Sequence, residues 1–143
     1  MLIQIFYVLG AIPLVYLGTM HLVFTLRDNK NPRFLVPSDK EMIRHMQAEP
    51  LQLTAETNMW RAWIGFNISH SMAVLLVGAG YAYAALKYLE ILHTDIILTL
   101  AAPCLAWVFV ILSKCFWFSV PFWGALISAT CFTIGAGLAL WAL

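Results

Sequence analysis

TNMWRAWIGFNISHSM, residues 57–72, changes from polar to apolar within one or two helical turns. An arginine between two tryptophans marks the change, and this combination is typical of a membrane interface. The apolar run continues to about Ala85 and carries Asn67, Ser69 and His70 with it. The stretch is therefore predicted to be a helix that enters lipid with polar side chains attached.

The composition favours an integral membrane protein. Of the 143 residues, 62% are hydrophobic and only 10% are charged, whereas about 25% of the residues of a soluble domain are charged. A lipid-facing surface excludes charge, so the shortage indicates a chain that lies mostly in lipid. The net charge of +1 provides no basic surface for nucleic acid. The three cysteines match no metal or redox motif and are predicted to be small residues of apolar segments.

Four apolar segments are long enough to cross a hydrocarbon core of about 30 Å as helices. The predicted fold is an all-α membrane protein, a four-transmembrane-helix bundle that forms a single domain over residues 1–143. The first segment is longer than the apolar core of a signal peptide, so it is predicted to remain as a span. The predicted spans are 2–26, 60–86, 96–116 and 120–142, with a polar loop at 27–59 between the first two.

The loop at 27–59 contains one predicted helix. Ser38 followed by Glu41 has the spacing of a capping box. Met42, Ile43 and Met46 would share one face of the helix that follows, which makes it amphipathic. Such a helix lies on the membrane surface or packs against the end of its own bundle, and the sequence leaves both open.

The basic residues predict the orientation. Seven of the eight Lys and Arg residues fall in or beside the 27–59 loop and the short turn after span 3, and only Lys87 lies on the other side. Basic residues favour the cytoplasmic side. The loop is therefore predicted to be cytoplasmic and both termini to be periplasmic in a bacterium.

Small residues form a stripe along span 2 and another along span 4. Small residues let membrane helices approach closely, so both stripes are predicted to face the inside of the bundle. The alternative is the general enrichment of glycine in membrane helices. The stripes are Gly65, Ser69, Ala73, Gly80 and Ala84 in span 2, and Gly124, Ser128, Cys131, Gly135 and Ala139 in span 4.

Polar residues of spans 1 and 2 lie at matching depths. His21 and Asn67 are each six residues inside the nearest arginine, or about 9 Å, and His70 is about 13 Å inside. Because the two spans are antiparallel and share the cytoplasmic boundary, these three side chains are predicted to meet. Ser69 is a further candidate. Polar groups in a membrane usually face a partner or a cavity, so the cluster is a candidate site.

The cluster has several interpretations. Its hydrogen bonds could simply hold the helices together. His21 and His70 could ligate haem b, although the chain has no CxxCH motif and no second histidine pair in its spans. They could also act as an acid and a base on a lipid or isoprenoid. Transport coupled to protons or sodium is disfavoured because no Asp or Glu lies within the predicted spans. No metal and no cofactor is predicted.

Arg61 has two interpretations. At headgroup level beside tryptophans it is typical of an interfacial anchor. It could instead bind an anionic headgroup or phosphate, with Arg44 and Lys114 as further candidates.

The block Trp-Arg-x-Trp-x-Gly-Phe-Asn-x-Ser-His at 60–70, with Gly-Thr-Met-His-Leu-Val at 18–23, resembles an uncharacterised family of short four-span bacterial integral membrane proteins. The resemblance covers nearly the whole chain. It implies a bacterial inner (cytoplasmic) membrane and brings no activity, cofactor or catalytic residue.

The functional prediction is a small accessory or scaffold subunit, or a lipid-binding module, of a membrane complex. The expected partners are membrane lipids and other membrane subunits or a second copy, and enzymatic activity is not favoured. The alternative is a membrane enzyme or haem protein that uses His21, Asn67 and His70.

Overall fold

The structure, a computed structural model, describes residues 1–142. It is 81% helical, and four helices are long and apolar enough to cross a membrane, which confirms the predicted fold class. The long helices are α1 (Leu2–Lys30), α3 (Met59–Lys87), α5 (Ile96–Phe116) and α6 (Ser119–Trp141). Between them lie α2 (Lys40–Ala48), the strands β1 (Pro50–Leu51) and β2 (Thr54–Asn58), and the short α4 (Ile91–Thr94).

The helix bounds agree with the predicted spans to within one residue except at the end of α1. This helix continues to Lys30 instead of ending at residue 26. The additional turn is polar and begins the loop, so its helical structure does not require lipid. Its Asp28 side chain is buried, with 1% of its surface exposed. The α1 helix therefore carries a buried carboxylate that the sequence interpretation placed outside the span.

The chain forms two compact units. One contains residues 1–17 and the chain from Val74 onward, and the other contains Gly18–Ala73. The helices α1 and α3 each contribute one part to each unit.

Aromatic rings form the centre of the first unit. Phe132 of α6 is fully buried, and its ring lies 5.7 Å from the rings of both Tyr7 and Tyr81 between centroids. A Cβ added at Gly10 would lie 2.7 Å from the Phe132 ring, so only glycine lets α1 approach this closely. The contact fits the general use of small residues where membrane helices meet.

A proline in α5 explains a buried hydrogen bond of the same unit. Pro103 has no N–H, so the carbonyl of Thr99, four residues earlier, loses its usual helical donor. The hydroxyl of Tyr7 donates to that carbonyl at 3.0 Å. A side chain from another helix thereby satisfies the backbone group that the proline frees, as membrane helices with proline require.

The predicted small-residue face of α6 is largely confirmed, because Ser128, Gly135 and Ala139 are buried. The remaining two residues of that stripe are half-buried.

The prediction for α3 was wrong. Gly65, Ser69, Ala73 and Gly80 are exposed, and only Ala84 is half-buried. The buried face of α3 carries polar side chains, which are costly in lipid and therefore lie inside the protein. Because these side chains face inward, the small residues on the other side of α3 face outward. The buried face is Trp60, Ile64, Asn67, Ser71, Val74, Gly78 and Ala85.

The loop of the second unit differs from the prediction in two respects. The N-cap of α2 is Asp39, whose carboxylate accepts from the Glu41 N–H at 2.8 Å, and Ser38 is not the cap. Glu41 pairs with Arg44 at 3.0 Å instead of turning back, so no capping box forms. An antiparallel hairpin of β1 and β2, which the sequence interpretation did not include, follows α2.

The helix α2 is amphipathic and has no buried residue. Met42 is exposed and Ile43 and Met46 are only half-buried. Its apolar face is therefore only partly covered by the rest of the chain, and both predicted positions of this helix stay open.

Candidate functional site

The candidate site lies within the second unit, where α1 and α3 each supply polar side chains. The His21 ring of α1 meets the Asn67 amide of α3, with 2.9 Å between His21 Nε2 and Asn67 Oδ1. Asn67 is buried, with 6% of its surface exposed, and His21 is half-buried. The structure thus brings together two residues that are 46 positions apart in the sequence.

The Asn67 side chain has a defined orientation. Its Nδ2 donates to the backbone carbonyl of Trp63, one turn earlier in α3, at 2.8 Å. A flipped amide would place its oxygen against that carbonyl oxygen, and two acceptors repel. Asn67 Oδ1 must therefore face His21 and accept the hydrogen bond.

The orientation of the amide selects the form of the imidazole. Because Asn67 Oδ1 can only accept, the neutral ring of His21 carries its hydrogen on Nε2. The second ring nitrogen, Nδ1, is then an acceptor. The state of a histidine ring is set in this way by the partner of one of its nitrogens.

His70 completes the cluster one turn along α3. Its ring lies 5.6 Å from that of His21 between centroids, at 80° between planes, in an edge-to-face arrangement. The Phe66 ring stacks on the His70 ring, at 6.2 Å between centroids and 10° between planes. His70 is half-buried and Phe66 is exposed. The cluster therefore passes from a buried amide to a partly exposed imidazole and then to an apolar surface.

Ser69 does not join these residues. Its side chain is exposed and donates to the Phe66 carbonyl of its own helix at 2.9 Å. The hydroxyl of Ser71 lies on the buried side instead and donates to the Asn67 carbonyl at 2.6 Å. The sequence interpretation named Ser69, whereas Ser71 lies on the buried side, because residues 69–71 point to different sides of the helix.

The three cations predicted for a headgroup site are divided between the two units. Arg44 pairs with Glu41, and the Lys114 ammonium lies over the Phe122 ring at 5.4 Å, in the first unit. Arg61 is exposed at the start of α3, beside an open cleft of about 260 Å³ that Glu56 also lines.

The histidine pair does not fit a haem. Two axial imidazoles must aim one nitrogen each at the iron from opposite sides of the macrocycle. In this structure the Nε2 of His21 is bonded to Asn67 and is not available to iron. Within residues 1–142, no group of three or more His, Cys, Asp or Glu side chains is placed to hold a metal ion.

Asp28 supports the site, and the sequence interpretation missed it. Its Oδ1 accepts from the N–H groups of Arg33 and Phe34, each at 2.9 Å, and its Oδ2 accepts from the Leu35 N–H at 2.6 Å. The indole of Trp63 donates to the Leu35 carbonyl at 3.1 Å. The loop is thereby fixed to the same turn of α3 that orients Asn67.

The residues around Asp28 contain one signal for this role. Aspartate side chains commonly accept hydrogen bonds from backbone N–H groups in turns that follow them, but Asp28 lies in a run of charged residues that is also typical of a solvated helix end. Because its carboxylate is used by the loop, Asp28 does not orient an imidazole for acid–base chemistry.

Comparison of the chain with protein families, curated proteins and solved structures finds no match. The family resemblance of the 60–70 block therefore stays a prediction.

Proposed function

We propose that the protein is a lipid-binding module of the membrane in which His21, held by the buried Asn67, and His70 contact the polar group of a lipid. The observation that carries this proposal is the partly exposed imidazole pair on an otherwise apolar helix surface. A polar group at this depth is costly unless it has a partner. The polar group of a lipid can reach the exposed part of the two rings and add to the contacts that they make within the protein.

Support for the proposal comes from how little the cluster adds as a helix contact. Interhelical hydrogen bonds in membranes contribute about 0.6 kcal/mol on average. The bond between His21 and Asn67 accounts for one such contact. The His70 ring lies one turn beyond this bond and extends the polar surface outward toward the exposed Phe66.

The lipid content of the purified protein tests the proposal. We expect His70→Ala to lower the amount of co-purified lipid by about fivefold, because one hydrogen-bonding group and its ring surface are lost. Native mass spectrometry of the full chain, extracted in a mild detergent, measures bound lipid per molecule. His93→Ala is the matched control, since His93 lies in α4 of the other unit.

Equal lipid content in the two variants would contradict the proposal. An accessory or scaffold role is the alternative, and the outward-facing Gly65, Ser69 and Ala73 favour it because small residues suit helix contacts. A second polypeptide that remains bound in the His70→Ala variant, together with unchanged lipid content, would replace the lipid-binding proposal with that role.

For the cellular location we propose a bacterial inner membrane, with the 27–59 loop cytoplasmic and both termini periplasmic. The distribution of basic residues supports this orientation. A C-terminal reporter that is active only in the cytoplasm is expected to be silent. The same reporter inserted in the hairpin turn at 52–53 should be active, and the reverse pattern would overturn the orientation.

A further inference from the structure

The His21 ring offers a lipid only one kind of hydrogen-bonding atom. Its Nε2 is used by Asn67, whose own amide is fixed by the Trp63 carbonyl. The nitrogen that remains in the neutral ring is Nδ1, an acceptor. The group that binds there must therefore be a donor, such as a hydroxyl.

The charges around the cluster restrict the ligand further. His21, Asn67 and His70 include no carboxylate, lysine or arginine, and the cluster begins about 9 Å inside the nearest arginine in sequence. A phosphate drawn to this depth would lose water without gaining a fixed cation, which is costly. Transfer of a neutral polar group to the same depth costs much less free energy.

The apolar surroundings of the cluster suit a lipid chain. Phe66 has 66% of its surface exposed and stacks on His70, so its ring continues the surface beyond the imidazoles. A molecule whose hydroxyl reaches His21 would lay its first methylene groups along this ring.

From these observations, and resting on the proposed lipid-binding function, we infer that the ligand is a neutral lipid alcohol whose hydroxyl donates a hydrogen bond to Nδ1 of His21. Asn67, buried between the two helices, determines this preference because it accepts the hydrogen of His21 Nε2 and so leaves Nδ1 as the acceptor. His70 and Phe66 form the wall along which the apolar chain leaves the site.

Two lipids that differ only at the hydroxyl test the inference on the wild-type chain. Dioleoylglycerol has the free hydroxyl, and its 3-O-acetyl ester has the same chains without the donor. We expect the protein in detergent to retain about fivefold more dioleoylglycerol than ester at equal supply, the ratio that one hydrogen bond provides. Native mass spectrometry measures both on one sample.

The variant His21→Gln separates the acceptor from the helix contact. Its side-chain Nε2 can still donate to Asn67, and its own acceptor, Oε1, does not occupy the place of Nδ1. We expect the ratio of the two lipids to fall to about one in this variant. The ratio of the two lipids is also measured on the wild-type chain, so the inference stays testable if His21→Gln fails to fold.

The outcomes distinguish the two claims. Equal retention of both lipids by the wild-type chain, with both lost in His70→Ala, would overturn the lipid alcohol and keep the lipid-binding function. Equal retention that His70→Ala leaves unchanged would overturn both. A fivefold preference that persists in His21→Gln would also overturn the assignment to Nδ1.

Discussion

Replacing Gly78 with leucine is expected to destabilise the fold strongly, because α1 and α3 are in close contact at this glycine. A Cβ at this position would lie 3.0 Å from Leu14 Cβ and from Val15 Cγ2, and 3.1 Å from the Val15 backbone nitrogen. Side chains can shift by rotation, but the α1 backbone cannot yield without moving the helix. Overpacking of this kind costs about 3 kcal/mol, and leucine adds three more carbons beyond the Cβ.

Gly80 provides a control two residues along the same helix. No atom lies within 4 Å of a Cβ added there, so Gly80→Leu should leave the fold unchanged. Thermal unfolding of the two variants in the same detergent makes the comparison, and we expect a midpoint lower by about 10 °C for Gly78→Leu alone. Equal midpoints would show that α1 and α3 do not approach each other at Gly78.

Replacing Asp28 with alanine is expected to release the loop that follows α1. The buried carboxylate accepts hydrogen bonds from three successive N–H groups, of Arg33, Phe34 and Leu35. Unpaired buried donors cost about 1–3 kcal/mol each, and water reaching the opened loop recovers part of this. We therefore expect about 3 kcal/mol of local destabilisation, or about a hundredfold faster hydrogen exchange at these amides.

Asp39→Ala is the matched control, because Asp39 is an exposed aspartate that accepts a single N–H as the cap of α2. Loss of such a cap costs about 1 kcal/mol. Hydrogen exchange followed by mass spectrometry measures residues 33–35 and the first turn of α2 separately. If residues 33–35 keep their protection in Asp28→Ala, the carboxylate does not hold the loop.

The spans could be predicted because lipid imposes a strong constraint on composition. The segment 96–116 matches α5 at both ends, since Asp95 before it and Lys114 in its last turn are costly in the hydrocarbon core. The end of α1 was placed too early because charge ends a span but does not end a helix. Helical structure continues beyond the apolar segment to Lys30.

The faces of α3 could not be predicted from small residues alone. Lipid is as apolar as a helix interior, so the hydrophobic effect does not separate an inward stripe from an outward one. Hydrogen bonding does separate them, and the buried Asn67 and Ser71 determine which side of α3 turns inward. The comparison of depths below the membrane boundary did place His21, Asn67 and His70 close together. It depends only on the rise per residue of a helix and on the antiparallel direction of the two spans.

The hairpin and the role of Asp28 depend on tertiary contacts. The strand Pro50–Leu51 has only two residues and Thr54–Asn58 is mostly polar, so neither has a pattern that distinguishes a strand from a loop. Asp28 accepts from residues five to seven positions later, a pairing that only the folded loop defines.

Photolabelling with a neutral lipid tests the central claim most directly. Dioleoylglycerol with a diazirine next to its hydroxyl, added to the wild-type protein in nanodiscs, should label peptides that contain His21 and residues 66–70. An excess of unlabelled dioleoylglycerol should compete. Labelling spread evenly over the four long helices, with no competition, would contradict a lipid site at His21, Asn67 and His70.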